Sequence, residues 1–326
     1  MRRVHTIVVA PTLEVAKKIN TKLAAIGNIH SDGRPILGLD VEELAKIIFD
    51  ASSDCLVIPA HAWTPWFAVF GSQSGFDSLE ECFGSMTKHI YAIETGLSSD
   101  PKMNWRLSQL DRITLLSNSD AHSLQNLGRE ANVFDFPQPT YAALIETIRT
   151  KDKKRFLHTI EFYPEEGKYH VDGHRACGVR LTPAETKKHK GLCPKCKKPV
   201  TVGVLYRIDA LADRKEDDIP AHAIPFKSMV PLQEIIAEAF DVGKQSKRVQ
   251  ATYERIVAAG GNEFRVLLDL PYDEIASIAN DDRIVRGIRR VREGKLTILP
   301  GYDGEYGTIR IFDEHEKRKN KQQKLL

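Results

Sequence analysis

The chain has 326 residues, a formal net charge of +3, and 42% hydrophobic and 28% charged residues. This composition is that of a globular protein of two or three domains, and it argues against intrinsic disorder. No run of about 18 apolar residues occurs, so we expect no membrane span, and the small net charge means that nucleic-acid binding would need local basic patches.

Residues 1 to about 150 alternate strand and helix patterns, which favours a parallel sheet or barrel. Apolar runs predict strands at His5–Ala10 and at residues 55–60, 90–94 and 113–117. Helices are predicted over Leu13–Ile26, after a capping box formed by Asp40 and Glu43, and over Tyr141–Ile148.

The remaining residues divide into three further units by composition. Residues 151–216 surround a group of cysteines, residues 217–312 look mainly helical with a terminal hairpin, and residues 313–326 form a charged tail. The predicted elements after residue 217 are helices at Pro231–Phe240, Lys247–Ala259 and Asp281–Glu293, and a hairpin within Leu296–Ile311.

Metal-ligand residue types occur at or near the ends of successive predicted strands. They are His5, His61, Glu94 and the pair Asp120 and His122, which follows the apolar run 113–116. Imidazole nitrogens and carboxylate oxygens suit Zn²⁺, Mn²⁺ or Fe²⁺. The pattern therefore predicts a metal site at the mouth of a barrel, and the alternative is that each residue is an ordinary polar group at its rim.

Three of the five cysteines are grouped with a histidine in paired spacing. The two pairs are His174-x-x-Cys177 and, after a 15-residue spacer, Cys193-x-x-Cys196. Four such ligands fit a closed tetrahedral zinc site, and His170 and His189 are alternatives for the histidine position. Metal-binding cysteines indicate a reducing compartment, so we expect a cytoplasmic protein with a structural Zn²⁺.

Two basic runs and an aromatic loop are candidates for contacts with DNA. The basic residues are Lys187, Lys188, Lys190, Lys195, Lys197 and Lys198 near the cysteines, and Arg283, Arg286, Arg289, Arg290 and Arg292 on a predicted helix. They favour a phosphate-backbone partner, although a solvated charged surface is the alternative. Trp63, Trp66 and Phe67 either stack on an unpaired base or fill the core.

Several sequence strings together resemble the endonuclease Q family within the PHP (polymerase and histidinol phosphatase) superfamily. The strings are Pro59-Ala-His-Ala-Trp-Thr-Pro-Trp66, Ser74-Gly-Phe-Asp-Ser-Leu-Glu-Glu-Cys-Phe-Gly84, Glu94-Thr-Gly-Leu-Ser-Ser-Asp-Pro101, Gly128-Arg-Glu-Ala-Asn-Val133 and Leu211-Ala-Asp-Arg214. The resemblance implies an α/β fold: a PHP-type distorted (β/α)₇ barrel, a small zinc-ribbon-like unit and a mainly helical C-terminal domain.

The resemblance also implies a function and a set of site residues. Asp120, His122 and His61 match catalytic metal ligands, His5 matches another, and Glu94 lies at the rim. The implied activity is metal-dependent cleavage of DNA, with Mg²⁺, Mn²⁺ or Zn²⁺, on the 5′ side of deaminated bases such as hypoxanthine, uracil or xanthine, or of abasic sites. The DNA-contact candidates are Trp63, Trp66, Lys195, Lys197, Lys198, Arg286, Arg289 and Arg290.

The sequence departs from the family pattern at its start. PHP proteins begin with a His-x-His strand, and this chain has none before His5. We therefore expect an N-terminally truncated chain with an incomplete barrel and impaired hydrolysis. Two other functions remain open: a PHP phosphoesterase acting on small phosphorylated substrates, and a non-catalytic zinc-containing DNA-binding protein.

Overall fold

The computed structural model describes residues 2–30 and 35–313, so the predicted tail lies outside the described residues except for its first residue. The strands are β1 (Thr6–Val9), β2 (Leu56–Pro59), β3 (Ala92–Glu94), β4 (Thr114–Leu116), β5 (Ala131–Phe134), β6 (Phe156–Glu161), β7 (Asp172–His174), β8 (Val179–Leu181), β9 (Phe226–Ser228), β10 (Thr297–Leu299) and β11 (Thr308–Arg310). The helices are α1 (Leu13–Ala24), α2 (Val41–Ala51), α3 (Leu79–Phe83), α4 (Pro101–Trp105), α5 (Tyr141–Thr150), α6 (Pro183–Lys188), α7 (Val204–Leu211), α8 (Leu232–Phe240), α9 (Lys247–Gly260), α10 (Tyr272–Ala279) and α11 (Asp282–Arg292).

The first four strands form where the sequence predicts them, but the first pair has the opposite direction. Strands β3 and β4 are parallel, whereas β1 and β2 are antiparallel, with Thr6 opposite Pro59. Two helices, α1 and α2, lie between β1 and β2. One helix between two strands takes the chain back to the starting end of the first strand, and the next strand is then parallel. With two helices, the chain returns to the end where β1 finished, and β2 therefore runs antiparallel to β1. The expectation of a uniformly parallel arrangement is therefore wrong at β1.

One sheet joins the three units that composition separates. Strand β6 pairs antiparallel with β5 and parallel with β9, and these strands come from residues 1–150, 151–216 and 217–312. The proposed domain boundaries remain a prediction, and this shared sheet shows that backbone hydrogen bonds cross them. Its strands were missed because each is short and lacks a clear alternating pattern.

The buried side chains form two large hydrophobic cores and two smaller ones. The first core, with Ile48, Trp63 and Phe70, lies beneath α1, α2 and the long loop that follows β2. The second, with Ile235 and Ile288, lies among the C-terminal helices. Most side chains of the first core come from residues before 116, and most of those of the second core come from residues after 228. This division agrees with the change in sequence pattern near residue 217.

The C-terminal elements match their predictions closely. Helices α8 and α11 fall within the predicted ranges, α9 extends one residue past its predicted end to Gly260, and β10 and β11 form the expected antiparallel hairpin. Helix α10 and a π-helical turn, Arg265–Asp269, were not predicted. In the described part of the chain, no helix is long and apolar enough to cross a membrane.

The capping box expected at α2 does not form. Asp40 caps the helix by accepting a hydrogen bond from the Glu42 N–H at 2.9 Å, whereas the Glu43 carboxylate pairs with Lys46 at 2.7 Å. A capping box is present instead at α6, between Thr182 and Glu185. Asp40 still begins the helix as predicted, because one side-chain acceptor is enough to cap its first turn.

Candidate metal centres and nucleic-acid interface

The antiparallel pairing of β1 and β2 brings two histidines together. His5 precedes β1 and His61 follows β2, and the ring atoms His5 Nδ1 and His61 Nε2 lie 2.9 Å apart. Thr64 Oγ1 lies 2.9 Å from the other ring nitrogen, His61 Nδ1, and the Phe67 ring stacks on His5 at 5.1 Å between centroids. These contacts hold one nitrogen of each imidazole at hydrogen-bonding distance from the other, so the two rings are close enough to serve one metal ion.

Glu94 helps to hold His61 in place beside His5. It ends β3, is 3% exposed, and its Oε2 accepts a hydrogen bond from the His61 backbone N–H at 2.6 Å. Its Oε1 accepts from Asn118 Nδ2 at 2.9 Å, and Asn132 donates in turn to Asn118 at 3.0 Å. Both oxygens of Glu94 therefore accept hydrogen bonds, one from the His61 backbone and one from Asn118, and the role of Glu94 as a metal ligand remains a prediction. The two asparagines were missed, because asparagine carries no ligand signal in sequence.

Asp120 and His122 follow β4, and both are exposed. Asp120 lines a cavity of about 1060 Å³ together with His5, His61 and Glu94. The His122 Nδ1 atom lies 2.8 Å from the Asp120 carbonyl oxygen. In residues 2–30 and 35–313, these two residues and the histidine pair do not form a group of three ligand atoms within 4.8 Å of one another. Convergence of Asp120, His122 and His61 on one metal is therefore still a prediction.

Backbone strain marks both ends of this cavity. His61 has a φ of +31° and Asp120 a φ of +41°, in the left-handed region that residues with a Cβ seldom adopt. Such conformations cost about 1–3 kcal/mol each and persist where the surrounding structure fixes them, often at functional sites. Their coincidence at two predicted metal ligands supports the assignment of a site to this cavity.

Two buried carboxyl groups lie near Glu94 in the structure. Burial raises the pKa of Glu161 to about 8, and its carboxylate accepts hydrogen bonds from Thr159 and Thr95. Burial, with the nearby charge of Glu161, raises the pKa of Glu130 well above its usual range. The sequence gives no signal for these groups, since their strands were not predicted.

The four predicted zinc ligands come together. One ligand atom each from His174, Cys177, Cys193 and Cys196 lies within 4.8 Å of all the others, and Cys196 Sγ is 3.4 Å from His174 Nδ1. The β7–β8 hairpin supplies the first pair of residues and a tight turn supplies the second. The donor set and its closeness fit a tetrahedral Zn²⁺ site, which would hold the hairpin to the turn.

The thiols of this cluster have opposite pKa shifts, and the hydrogen bond with Cys196 together with burial raises the pKa of Cys177 to about 11. Burial alone would raise the pKa of Cys193, but backbone N–H groups of Cys196 and Lys195 overcome it and lower that pKa to about 6. A thiolate is the form that binds zinc. The alternative ligands are excluded: His170 lies in the core, where burial lowers its pKa to about 4, and His189 ends α6 outside the cluster.

The lysines beside the cluster present charge to solvent. Lys195, Lys197 and Lys198 are exposed, and Lys195 Nζ donates to the Cys177 carbonyl at 2.8 Å. Lys197 Nζ donates to the Pro194 carbonyl at 3.1 Å. Neither contact neutralises a charge, so the ammonium groups remain available to phosphates, and their contact with DNA stays a prediction.

The arginines of α11 divide into two groups. Arg286 and Arg289 are exposed, whereas Arg290 donates to the Ile311 carbonyl at 2.7 Å. Arg292 donates to three carbonyl oxygens, and Arg283 is only 9% exposed. The prediction of a DNA-binding helix therefore needs correction at Arg290, whose guanidinium group is partly committed to the fold.

The aromatic loop also divides. Trp63 is 1% exposed, donates from Nε1 to Asn104 Oδ1 at 2.7 Å and stacks on Phe70, so its predicted contact with a base is wrong. Trp66 is 45% exposed and meets the Tyr169 ring edge-on at 5.4 Å. Trp66 and Tyr169 line a second cavity of about 350 Å³ with the His5–His61 pair. Tyr169 was missed, because an isolated tyrosine has no distinguishing context in the sequence.

Comparisons with known proteins agree with this architecture. The sequence model of a family described as PHP-associated matches residues 105–152, and that of the MJ0043 C-terminal domain matches residues 231–295. The chain is 34% identical over 292 residues to the MJ0043 protein of Methanocaldococcus jannaschii, covering 87% of this chain and 35% of that protein. The chain thus spans about a third of that relative's length. It is 30% identical over 309 residues to the YqxK protein of Bacillus subtilis, covering 94% of this chain and 74% of that protein.

Solved structures identify the family. The lesion-specific endonuclease PfuEndoQ from Pyrococcus furiosus superposes with a TM-score of 0.86 at 35% identity, covering 97% of this chain and 77% of the solved chain. An endonuclease Q crystallised with a 27-mer duplex that carries an abasic lesion at the active site superposes with a TM-score of 0.84 at 35% identity, covering 96% and 77%. The chain therefore belongs to the endonuclease Q family.

Proposed function

We propose that this chain belongs to a metal-dependent DNA endonuclease of base-damage repair. It would cleave the phosphodiester bond on the 5′ side of a deaminated base, such as hypoxanthine, uracil or xanthine, or of an abasic site. The observation that carries the proposal is the pair of imidazole nitrogens 2.9 Å apart at two strand ends, beside a large cavity, in a chain of this family.

The described residues have separable roles in this proposal. His5 and His61 would hold the catalytic metal, and Thr64 and Glu94 fix the ring and backbone of His61. When bound, Mg²⁺, Mn²⁺ or Zn²⁺ would supply an activated water and stabilise the charge on the scissile phosphate. Asp120, which lines the same cavity, and His122 would complete the donor set.

The 350 Å³ cavity is the proposed place for an extruded base. Trp66, Phe67 and Tyr169 contribute aromatic surface to its wall, and the two histidines form its floor. Extrusion costs least at a mismatched or damaged base, which would give selectivity for lesions. The lysines at 195, 197 and 198 would hold the phosphate backbone, and the zinc cluster would keep them in place.

The test compares binding and incision on matched duplexes. We expect the purified chain to bind hypoxanthine-containing duplex more tightly than the undamaged duplex, with an affinity that falls as salt rises. We expect weak incision with Mg²⁺, Mn²⁺ or Zn²⁺, because the described ligands bring only two donor atoms together. Equal affinity for the damaged and undamaged duplexes would contradict the proposal.

The same experiment separates the two alternatives. Phosphate release from small phosphorylated substrates, without DNA binding, would favour a PHP phosphoesterase. DNA binding without any lesion preference or metal-stimulated incision would favour a non-catalytic DNA-binding protein. The exposed lysines around the zinc cluster argue against the first alternative, since a small substrate does not require them.

A further inference from the structure

Two leucines protrude into solvent directly after the predicted metal ligand His122. Leu124 is 84% exposed and Leu127 is 64% exposed. Of the large hydrophobic side chains in the described part of the chain, that of Leu124 is the most exposed. A single exposed leucine is ordinary, but two on one turn beside a candidate active site form a small apolar surface.

The local backbone places both side chains on one edge. Residues Leu124–Asn126 form a 3₁₀ turn, in which the Leu127 N–H donates to the Leu124 carbonyl at 3.2 Å. Side chains three residues apart eclipse each other in this conformation. The two leucines therefore form one ridge, and the turn supplies its own hydrogen bonds without burying either of them.

The ridge is fixed relative to the cavity. The Arg129 guanidinium donates twice to the Ser119 carbonyl, at 3.3 and 3.2 Å, which closes the loop at the residue before Asp120. Gly128 has a φ of +78°, and a Cβ atom there would lie 3.1 Å from the Phe264 ring. Only glycine allows this close approach in that conformation, so the loop is held against the C-terminal helices.

The charge of the loop suits a polyanion. Residues 121–129 contain no aspartate or glutamate and include His122 and Arg129; of the two flanking acids, Glu130 is buried and Asp120 is a predicted metal ligand. An apolar ridge on a loop without negative charge fits the edge of a DNA base stack, where apolar side chains insert between bases and phosphates lie on both sides. The ridge also continues directly from Asp120 and His122, where the proposed function places the scissile phosphate.

We infer that Leu124 and Leu127 form an apolar wedge that enters the base stack of duplex DNA beside the lesion and holds open the space left by the extruded base. This inference rests on the proposed function and assigns a role to residues outside its metal and base sites. Insertion removes both leucines from water and replaces the stacking contacts that the extruded base has lost.

The test uses a duplex with 2-aminopurine, whose fluorescence rises on unstacking, next to hypoxanthine. Fluorescence is measured at equal occupancy for the wild type, the Leu124→Ala/Leu127→Ala double variant and the control Leu13→Ala, which alters a leucine that is 76% exposed on α1. We expect the double variant to lose the fluorescence increase by roughly fivefold, and the control to keep it. The circular dichroism spectrum of the double variant should match that of the wild type, because neither leucine is buried.

A second substrate sharpens the result. At an abasic site no base has to be extruded, so the double variant should lose less affinity for an abasic duplex than for the hypoxanthine duplex. An unchanged fluorescence increase in the double variant would overturn the wedge but leave the proposed function standing. The same holds if the wild type binds the hypoxanthine duplex without unstacking it. If the wild type binds no duplex, the proposed function fails and the wedge fails with it.

Discussion

Arg292 offers the sharpest test of which α11 arginines serve the fold and which serve DNA. Its guanidinium donates to the carbonyl oxygens of Leu267 at 2.7 Å, Leu270 at 2.8 Å and Val266 at 3.0 Å. It also lies 5.0 Å from the Tyr272 ring centroid. These carbonyls belong to the π-helical turn and its end, so the side chain ties that turn to α11.

The magnitude follows from the number and setting of these bonds. A hydrogen bond to a charged group contributes about 1.5–3 kcal/mol, and three would sum to roughly 6 kcal/mol. Arg292 is only half-buried, so water can replace part of this, and we expect Arg292→Ala to lower the free energy of unfolding by about 3 kcal/mol. The control Arg289→Ala removes an exposed contact with the Tyr272 ring at 4.4 Å and should cost less than about 1 kcal/mol.

Two assays separate the roles of these arginines. Urea denaturation followed by circular dichroism measures stability, and fluorescence anisotropy at several salt concentrations counts phosphate contacts. Arg289→Ala should reduce the slope of log affinity against log salt by about 1, whereas Arg292→Ala should leave it unchanged. Full stability of Arg292→Ala together with a reduced slope would refute the division of the helix proposed here.

Three further predictions concern the two metal sites and a buried histidine. Elemental analysis should find one zinc ion in the wild-type chain and none in Cys193→Ser. The control Cys82→Ala alters a buried cysteine outside the cluster and should retain the zinc. A zinc-free Cys82→Ala protein would contradict the ligand assignment. Asp120→Ala should abolish the metal-stimulated incision and keep DNA affinity within about twofold, so unchanged incision would show that the site is misplaced. Burial lowers the pKa of His170 from 6.5 to about 4, so the folded state resists its protonation. Above pH 6.5 the free energy of unfolding of the wild type should keep its full value. As the pH drops toward 4, it should fall by about 3 kcal/mol more than that of the His170→Gln variant. The same pH dependence in both proteins would contradict this reasoning.

The sequence by itself determined the features that depend on local spacing. The paired two-residue spacing of His174, Cys177, Cys193 and Cys196 predicted that their side chains lie together, because each pair lies on one turn or hairpin. The strands before His61 and Asp120 were found because they are buried apolar runs bounded by polar residues. Helices α8, α9 and α11 followed from their caps and hydrophobic faces.

Only the tertiary structure decided which of several residues of the same type are buried and which are exposed. Trp63 fills the core and Trp66 faces a cavity, although they lie three residues apart in one loop. Arg292 binds carbonyls of another element while Arg289 faces solvent, and Glu130 and Glu161 are buried together from strands distant in sequence. The contact of His5 with His61 depends on the antiparallel register of β1 and β2. Each of these outcomes depends on contacts between distant segments, which composition and periodicity do not encode.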